Sequence, residues 1–264
     1  VRSRRALRSA GALGLLALTA TACSGEASRL GMPEPIGPQA ERMLKLWQGS
    51  WIAAFAVGAV VWGLIIWAVL FHRKRSDDLP PQVRYNMPIE ILYTAVPFVI
   101  IAVLFFFTVR DEDYVEKTTK NPAVVIDVTG FQWSWQFDYK EKVGGQEKTV
   151  ASVVGQPVSP NASTGAKPVM TIPSGKTVRV RLHSNDVIHS FWVPALLYKK
   201  DVMPGYTNEF EFTADKPGTY EGRCAELCGV DHSRMLFQLR VVPPEQYAKF
   251  IADSKAALAA GGAQ

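Results

Sequence analysis

The sequence predicts a membrane-anchored all-β protein, in which a two-helix transmembrane hairpin is followed by an antiparallel β-sandwich or barrel. Three observations carry that prediction. Residues 51–71 (WIAAFAVGAVVWGLIIWAVLF) and 91–109 (ILYTAVPFVIIAVLFFFTV) are uncharged runs of 21 and 19 residues. About 20 residues at about 1.5 Å rise each cross a hydrocarbon core. From residue 123 the texture changes to short runs rich in β-branched and aromatic residues. The charge divides nearby: residues 1–109 carry eleven Lys and Arg against six Asp and Glu, whereas 110–264 carry eighteen of each. The whole formal excess of +5 thus lies in the N-terminal part, and the basic balance gives no argument for a nucleic-acid partner.

Residues 1–22 have the order of an export signal: arginines at 2, 4, 5 and 8, an apolar run from Ala10, then small residues leading to Cys23. They resemble a bacterial lipoprotein signal, in which Cys23 becomes the acylated first residue, although Ala20 is a weaker choice than leucine at its place in that motif. Setting Cys23 aside leaves Cys224 and Cys228 as a pair. Residues 23–49 then form an extracytoplasmic segment ahead of the hairpin at 50–110. Residues 72–75 (HRKR) close the first span, and Arg84 follows in the short loop. By the positive-inside rule that loop is cytoplasmic, and the chain after Arg110 lies outside the cytoplasm of a bacterial plasma membrane. His72 belongs to this stop-transfer cluster and not to a metal site. Pro97 is tolerable within the second span, where a neighbouring helix or water can satisfy the carbonyl it frees. Buried helices of a soluble protein would show a polar face over such lengths.

Within residues 111–243 the runs AVVIDVTGF, WSWQFDY, KPVMTIP, KTVRVRLHS, NEFEFTA, GTYEGRC and MLFQLRVVPP read as strands between Pro, Gly, Asn and Asp punctuation. Trp133 and Trp135 alternate onto one face of such a strand. Val178, Val180 and Leu182 alternate with Arg179, Arg181 and His183, which puts His183 on an exposed polar face. Residues 140–167, rich in Gly, Ser, Thr, Asn and Lys, read as an extended hairpin or a mobile insertion. Residues 244–264 supply a C-terminal helix and tail.

The chemistry concentrates in CAELCGVDHSRM, residues 224–235, with His189 in the earlier NDVIHSFWVP. Two cysteines four apart in an exported chain can form a disulfide, because a loop can meet the required Cα separation of about 4.4–6.8 Å. A disulfide gives no reason for His232 and Met235 to follow. Structural zinc takes cysteine and histidine in tetrahedral sets, without thioether. Methionine beside thiolates and imidazoles points to copper. A mononuclear blue-copper site needs one cysteine, so the second is one too many. Two thiolates can bridge two coppers: Cys224 and Cys228 bridge, His189 and His232 terminate, and Met235 gives one weak axial donor. A backbone carbonyl between the cysteines gives the other, and Glu226 lies midway.

HSFWVP and CAELCGVDHSRM resemble the binuclear copper-A signature of cytochrome c oxidase subunit II, and the resemblance covers residues 48–247. The two spans, the aromatic cluster FQWSWQFDY and the run KKDVMPG match independently of the copper loop. The resemblance implies a cupredoxin-like Greek-key domain whose copper-A centre accepts electrons from a c-type cytochrome, soluble or membrane-tethered. It passes them to haem in subunit I, where O2 reduction is coupled to proton pumping. The oxygen-reducing site then lies in another subunit. By the same resemblance the metal ligands are His189, Cys224, Cys228, His232, Met235 and the main-chain oxygen of Glu226. The Glu226 carboxylate helps hold a magnesium or manganese ion shared with subunit I. Trp133 receives the electron from the docked cytochrome, and Glu90, at the cytoplasmic start of the second span, marks the mouth of a proton-uptake path. Other oxidase subunits and the lipid bilayer complete the implied partners.

Two departures bear on docking. Asp186 is kept among the acidic residues that steer a basic cytochrome in the family, but its neighbour is Asn185. Tyr206 stands where related chains usually carry arginine. With residues 110–264 formally neutral, strong charge steering is not implied. Two alternatives come from the same features. A quinol-oxidase subunit of this fold would lack copper ligands. A membrane-anchored copper carrier or assembly protein would need neither paired spans nor an aromatic electron-accepting patch.

Overall fold

A computed structural model describes residues 25–79, 81–157 and 167–261. The export signal and Cys23 fall outside the described residues, as does part of the 140–167 segment. The described chain divides into two compact units, residues 45–114 in one, and 115 onward together with the N-terminal residues up to 44 in the other.

The first unit consists of most of two helices, α1 (Pro38–Phe71) and α2 (Met87–Glu116), both long and apolar enough to cross a membrane. Each is longer than its uncharged run, because a helix continues into water wherever its ends are capped or packed. Pro38 suits the first helical turn, where its missing N–H would have had no partner. The α2 terminus is built by Asn86 and Glu90. Asn86 Oδ1 accepts from the Ile89 N–H at 3.5 Å, and Glu90 Oε1 reaches back to the Asn86 N–H at 2.8 Å. This reciprocal cap satisfies donors that the helix leaves open. Thr108 inside the second apolar stretch and Ser50 just before the first donate their hydroxyls to the carbonyls of Leu104 and Leu46 one turn back, so neither carries an unmet donor into lipid.

The second unit is a sandwich of two five-stranded sheets. The first is ordered β3 (Gln146–Val154), β2 (Ser134–Val143), β1 (Val124–Phe131), β5 (Thr177–Ser184), β8 (Asn208–Thr213). The second runs β4 (Val169–Pro173), β10 (Leu236–Val242), β9 (Gly218–Cys224), β6 (His189–Val193), β7 (Tyr198–Val202). The sheets are mixed and not purely antiparallel, since β1 pairs parallel to β5 and β10 parallel to β4. The sequence pattern named seven of the ten strands among the described residues, with β3 implied as the return arm of the 140–167 hairpin. It missed β6 and β7, which are short and owe their conformation to a neighbour's ladder.

Alternation builds the core. Ile126, Val128, Val178, Val180 and Leu182 are fully buried, while Asp127, Arg179 and Arg181 point outward and pair: Arg181 with Asp127 at 2.6 Å, Arg179 with Glu211 at 2.6 Å. His183 is half-buried rather than exposed, because its Nδ1 lies 3.2 Å from the Thr207 hydroxyl. Between the sheets, Trp135, Phe137, Phe191 and Phe237 interlock, with Phe191 stacked on Phe237 at 4.7 Å. Gly222 faces Phe237 across the β9–β10 ladder, and a side chain there would strike that ring. The 140–167 segment opens as the predicted extended hairpin. Val143 pairs with Gln146 around Gly144 and Gly145, both at positive φ, the two-residue turn that a twisted hairpin favours.

Two segments close this unit. Helix α3 (Pro244–Ala259) buries Ile251 and lays Phe250 against Tyr139, ring centroids 5.3 Å apart. The strap before α1 joins the sandwich edge: Ile36 donates to the Ala195 carbonyl at 3.2 Å and accepts from the Asp215 N–H at 2.7 Å. Ile36 and Ala40 are buried there.

Candidate metal centre

The centre lies in the loop joining β9 to β10, beside the start of β6. Cys224 ends β9, where the ladder pairs it with Phe191, and its N–H donates to the Met235 carbonyl at 3.0 Å. The loop therefore leaves and returns at one point, and its donors turn inward. A 3-10 turn over His232–Arg234 brings His232 round before Met235. His189 opens β6, a strand hydrogen-bonded to β9, so sheet pairing supplies the histidine that the loop lacks. Gly130 leaves room for it: a Cβ there would lie 3.0 Å from the imidazole.

The donors converge. The two sulfurs are 3.8 Å apart and the cysteines are free, so there is no disulfide between them. His189 Nδ1 lies 3.9 Å from Cys224 Sγ, and His232 Nδ1 lies 3.5 Å from Cys228 Sγ. Met235 Sδ is 3.7 Å from Cys228 Sγ, and the Glu226 carbonyl is 3.2 Å from Cys224 Sγ. His189, Cys224, Cys228 and Met235 are all buried. Each sulfur thus has one imidazole and one weak donor beside it.

Electrostatics make the pocket suited to a cation. Burial opposes the Cys224 thiolate, yet hydrogen bonding with His189 and the nearby backbone draws its pKa down to about 7. Burial and the Cys224 charge together push Cys228 up to about 12. Two thiolates at this separation repel, and a bound metal charge relieves both. Burial also disfavours charge on His189, but Cys224 and Asp186 on its two sides raise its pKa. Asp186 Oδ1 meets His189 Nε2 at 2.8 Å, leaving Nδ1 to face the sulfur. A carboxylate so placed fixes the tautomer and orientation of a ligating ring. Burial works against the Asp186 charge, but bonds to His189 and to the Gln132 and Val187 N–H groups keep its carboxyl below the usual range. The family resemblance implied only steering for Asp186. Its position three residues before His189 was the signal for this second role.

The remaining predicted residues take distinct places. Trp133 does not share a strand face with Trp135. Phe131 pairs with Ser134, so Gln132 and Trp133 form the turn between β1 and β2, beyond the reach of strand alternation. Trp135 is fully buried, whereas Trp133 is half-buried and its Nε1 donates to the Cys228 carbonyl at 3.2 Å. The Glu226 side chain is exposed, turned away from the sulfurs that its carbonyl approaches. Glu90 is the α2 capping residue, and Asn185 and Tyr206 are exposed.

Two sequence families match this chain. "Cytochrome C oxidase subunit II, periplasmic domain" covers residues 124–242, and "Cytochrome C oxidase subunit II, transmembrane domain" covers 25–110. A probable cytochrome c oxidase subunit 2 of Streptomyces avermitilis is 49% identical, over 95% of this chain and 87% of that one. The cytochrome c oxidase subunit 2 of Mycobacterium tuberculosis H37Rv is 39% identical, over 95% and 82%. Among solved structures, the periplasmic domain of subunit II from Bradyrhizobium japonicum is 33% identical, over 53% of this chain and 98% of that one, at a TM-score of 0.44.

Proposed function

The chain belongs to the cytochrome c oxidase subunit II family, and on that premise we propose that its sulfur-rich pocket is a binuclear copper-A centre relaying electrons from a c-type cytochrome to subunit I. It is a subunit of the oxidase complex and a two-pass membrane protein with its C-terminal domain outside the cytoplasm. The His189, Cys224 and Cys228 group fits copper. The observation that carries the binuclear reading is symmetry: two sulfurs 3.8 Å apart, each with its own imidazole Nδ1 and its own weak donor.

When bound, paired copper supplies a one-electron centre whose charge is shared over two metals. The chain's own residues do the rest. Cys224, Cys228, His189, His232, Met235 Sδ and the Glu226 carbonyl would together hold the copper. Asp186 holds the His189 ring in one tautomer, so the donors are arranged before metal arrives. On the core side the Trp135 ring walls the pocket, its centroid 6.1 Å from that of His189. A site that does not move favours fast transfer. Trp133, half-buried at the rim and bonded to the main chain of Cys228, is the residue that receives electrons. The exposed Glu226 carboxylate is free to hold magnesium or manganese at the surface facing subunit I. Glu90 keeps its second carboxylate oxygen for a proton path while the first caps α2.

The buried sulfurs favour this reading over a copper carrier, whose exchange chemistry needs an exposed site. Electron paramagnetic resonance of the copper-loaded full chain is the test. One unpaired electron shared equally by two copper nuclei is the expected hyperfine pattern. The pattern of a single copper would overturn the binuclear assignment.

A further inference from the structure

Gln132, Asp186 and Cys228 are joined in a circuit that the ligand set does not require. The Gln132 main-chain N–H donates to Asp186 Oδ2 at 2.7 Å, while the other oxygen of that carboxylate meets His189 at 2.8 Å. The Gln132 side-chain Nε2 donates to the Cys228 carbonyl at 2.8 Å, and Trp133 Nε1 donates to the same oxygen at 3.2 Å. One residue in a two-residue turn is thus tied to the His189 side and the Cys228 side of the pocket at once. Gly229 completes the fit. Its φ is +125°, which favours glycine, and a Cβ there would come within 3.0 Å of Trp133 Nε1 and 3.1 Å of Gln132 Nε2.

Gln132 is exposed, so burial does not hold it in place. Its hydrogen bonds do. The Cys228 carbonyl has two lone pairs, and the two donors from the turn can use both. We propose that Gln132 is a positioning residue, which clamps the 132–133 turn to both halves of the pocket and so holds the Trp133 indole against the Cys228 main chain. The inference rests on the copper reading above and gives a role to a side chain that touches none of the donor atoms. A hairpin turn held only by its two strands leaves an indole at its tip free to swing. A turn bonded at both ends of one residue does not.

The test uses the full chain in the assembled oxidase, with Gln132→Met, which keeps the length and removes the donor. The paired-copper resonance stays as in the parent. Reduction by a reduced c-type cytochrome slows about tenfold or more, the scale on which small misplacements act. Reduction by a small inorganic complex keeps the parental rate. In a Trp133→Phe background the same substitution adds little, because Gln132 acts through the indole. In the copper-free chain, backbone amides of residues 130–135 exchange faster in the variant. An unchanged rate with cytochrome, effects that multiply in the double variant, or loss of the copper resonance in Gln132→Met alone would each overturn the proposal. A parent without the paired-copper pattern would instead overturn the copper reading, and the exchange measurement would still decide whether Gln132 holds the turn.

Discussion

The paired helices and the sulfur-rich pocket differ in what each residue must satisfy. Along α1 and α2 most apolar side chains face outward, with Ile52 68% and Phe98 72% exposed, and only a minority, Ile100 and Leu104 among them, are half-buried. In the pocket each donor has a partner at a set distance, and His189 has a further bond behind it, to Asp186. The first region is specified by composition over a length, the second by atoms in positions. They should therefore respond to substitution on different scales.

The largest effect belongs to the pocket. Cys228→Ser removes one of the two pocket sulfurs and, on the copper reading, should abolish the paired-copper resonance and oxidase turnover, with membrane insertion unchanged on alkaline extraction. Full oxidase activity in that variant would remove the pocket from the mechanism. In the helices only a change of class should matter. Val60→Asp places a charge near the centre of a span and should cost about 2.5–3.5 kcal/mol of insertion free energy, read as the fraction of chain integrated into membranes. Smaller again is Asp186→Asn, which keeps the side chain's shape and removes its charge from His189. Copper affinity measured by chelator competition should fall about tenfold with the resonance retained. An unchanged affinity would mean that the 2.8 Å contact does not orient the ring. The smallest effect is that of Val60→Leu, within about 0.5 kcal/mol on insertion and stability alike. A large loss there would show that the helix faces are as position-specific as the pocket.

Legibility followed the same division. The spans could be read because a bilayer demands only length and apolarity. The candidate ligand residues could be proposed because softness and donor count are properties of residue types, and five of the six candidate donors carry them in their side chains. Strands β1, β5 and β10 announced themselves by alternation, while β6 and β7 did not. Yet β6 carries His189. Its ladder runs in full along β7, and at Phe191 and Trp192 it also meets β9, a partner about thirty residues away that local pattern cannot name. The two tryptophans make the point most sharply. Alternation assigned Trp133 and Trp135 to one face, but the β1–β2 register ends between them, so one lies in a turn at the rim and the other in the core.

The sequence by itself determined that two segments can cross a membrane, that a β-rich domain follows, and that soft donors for copper sit in one loop with a histidine elsewhere. These are matters of composition, spacing and donor chemistry. Only the tertiary structure decided which sulfur meets which imidazole, that Asp186 stands behind His189, that Glu90 caps its helix, and that Gln132 and Trp133 donate to one Cys228 carbonyl. Those depend on sheet register and loop closure, which set distances between residues far apart in the chain, and a hydrogen bond exists or not within a few tenths of an ångström.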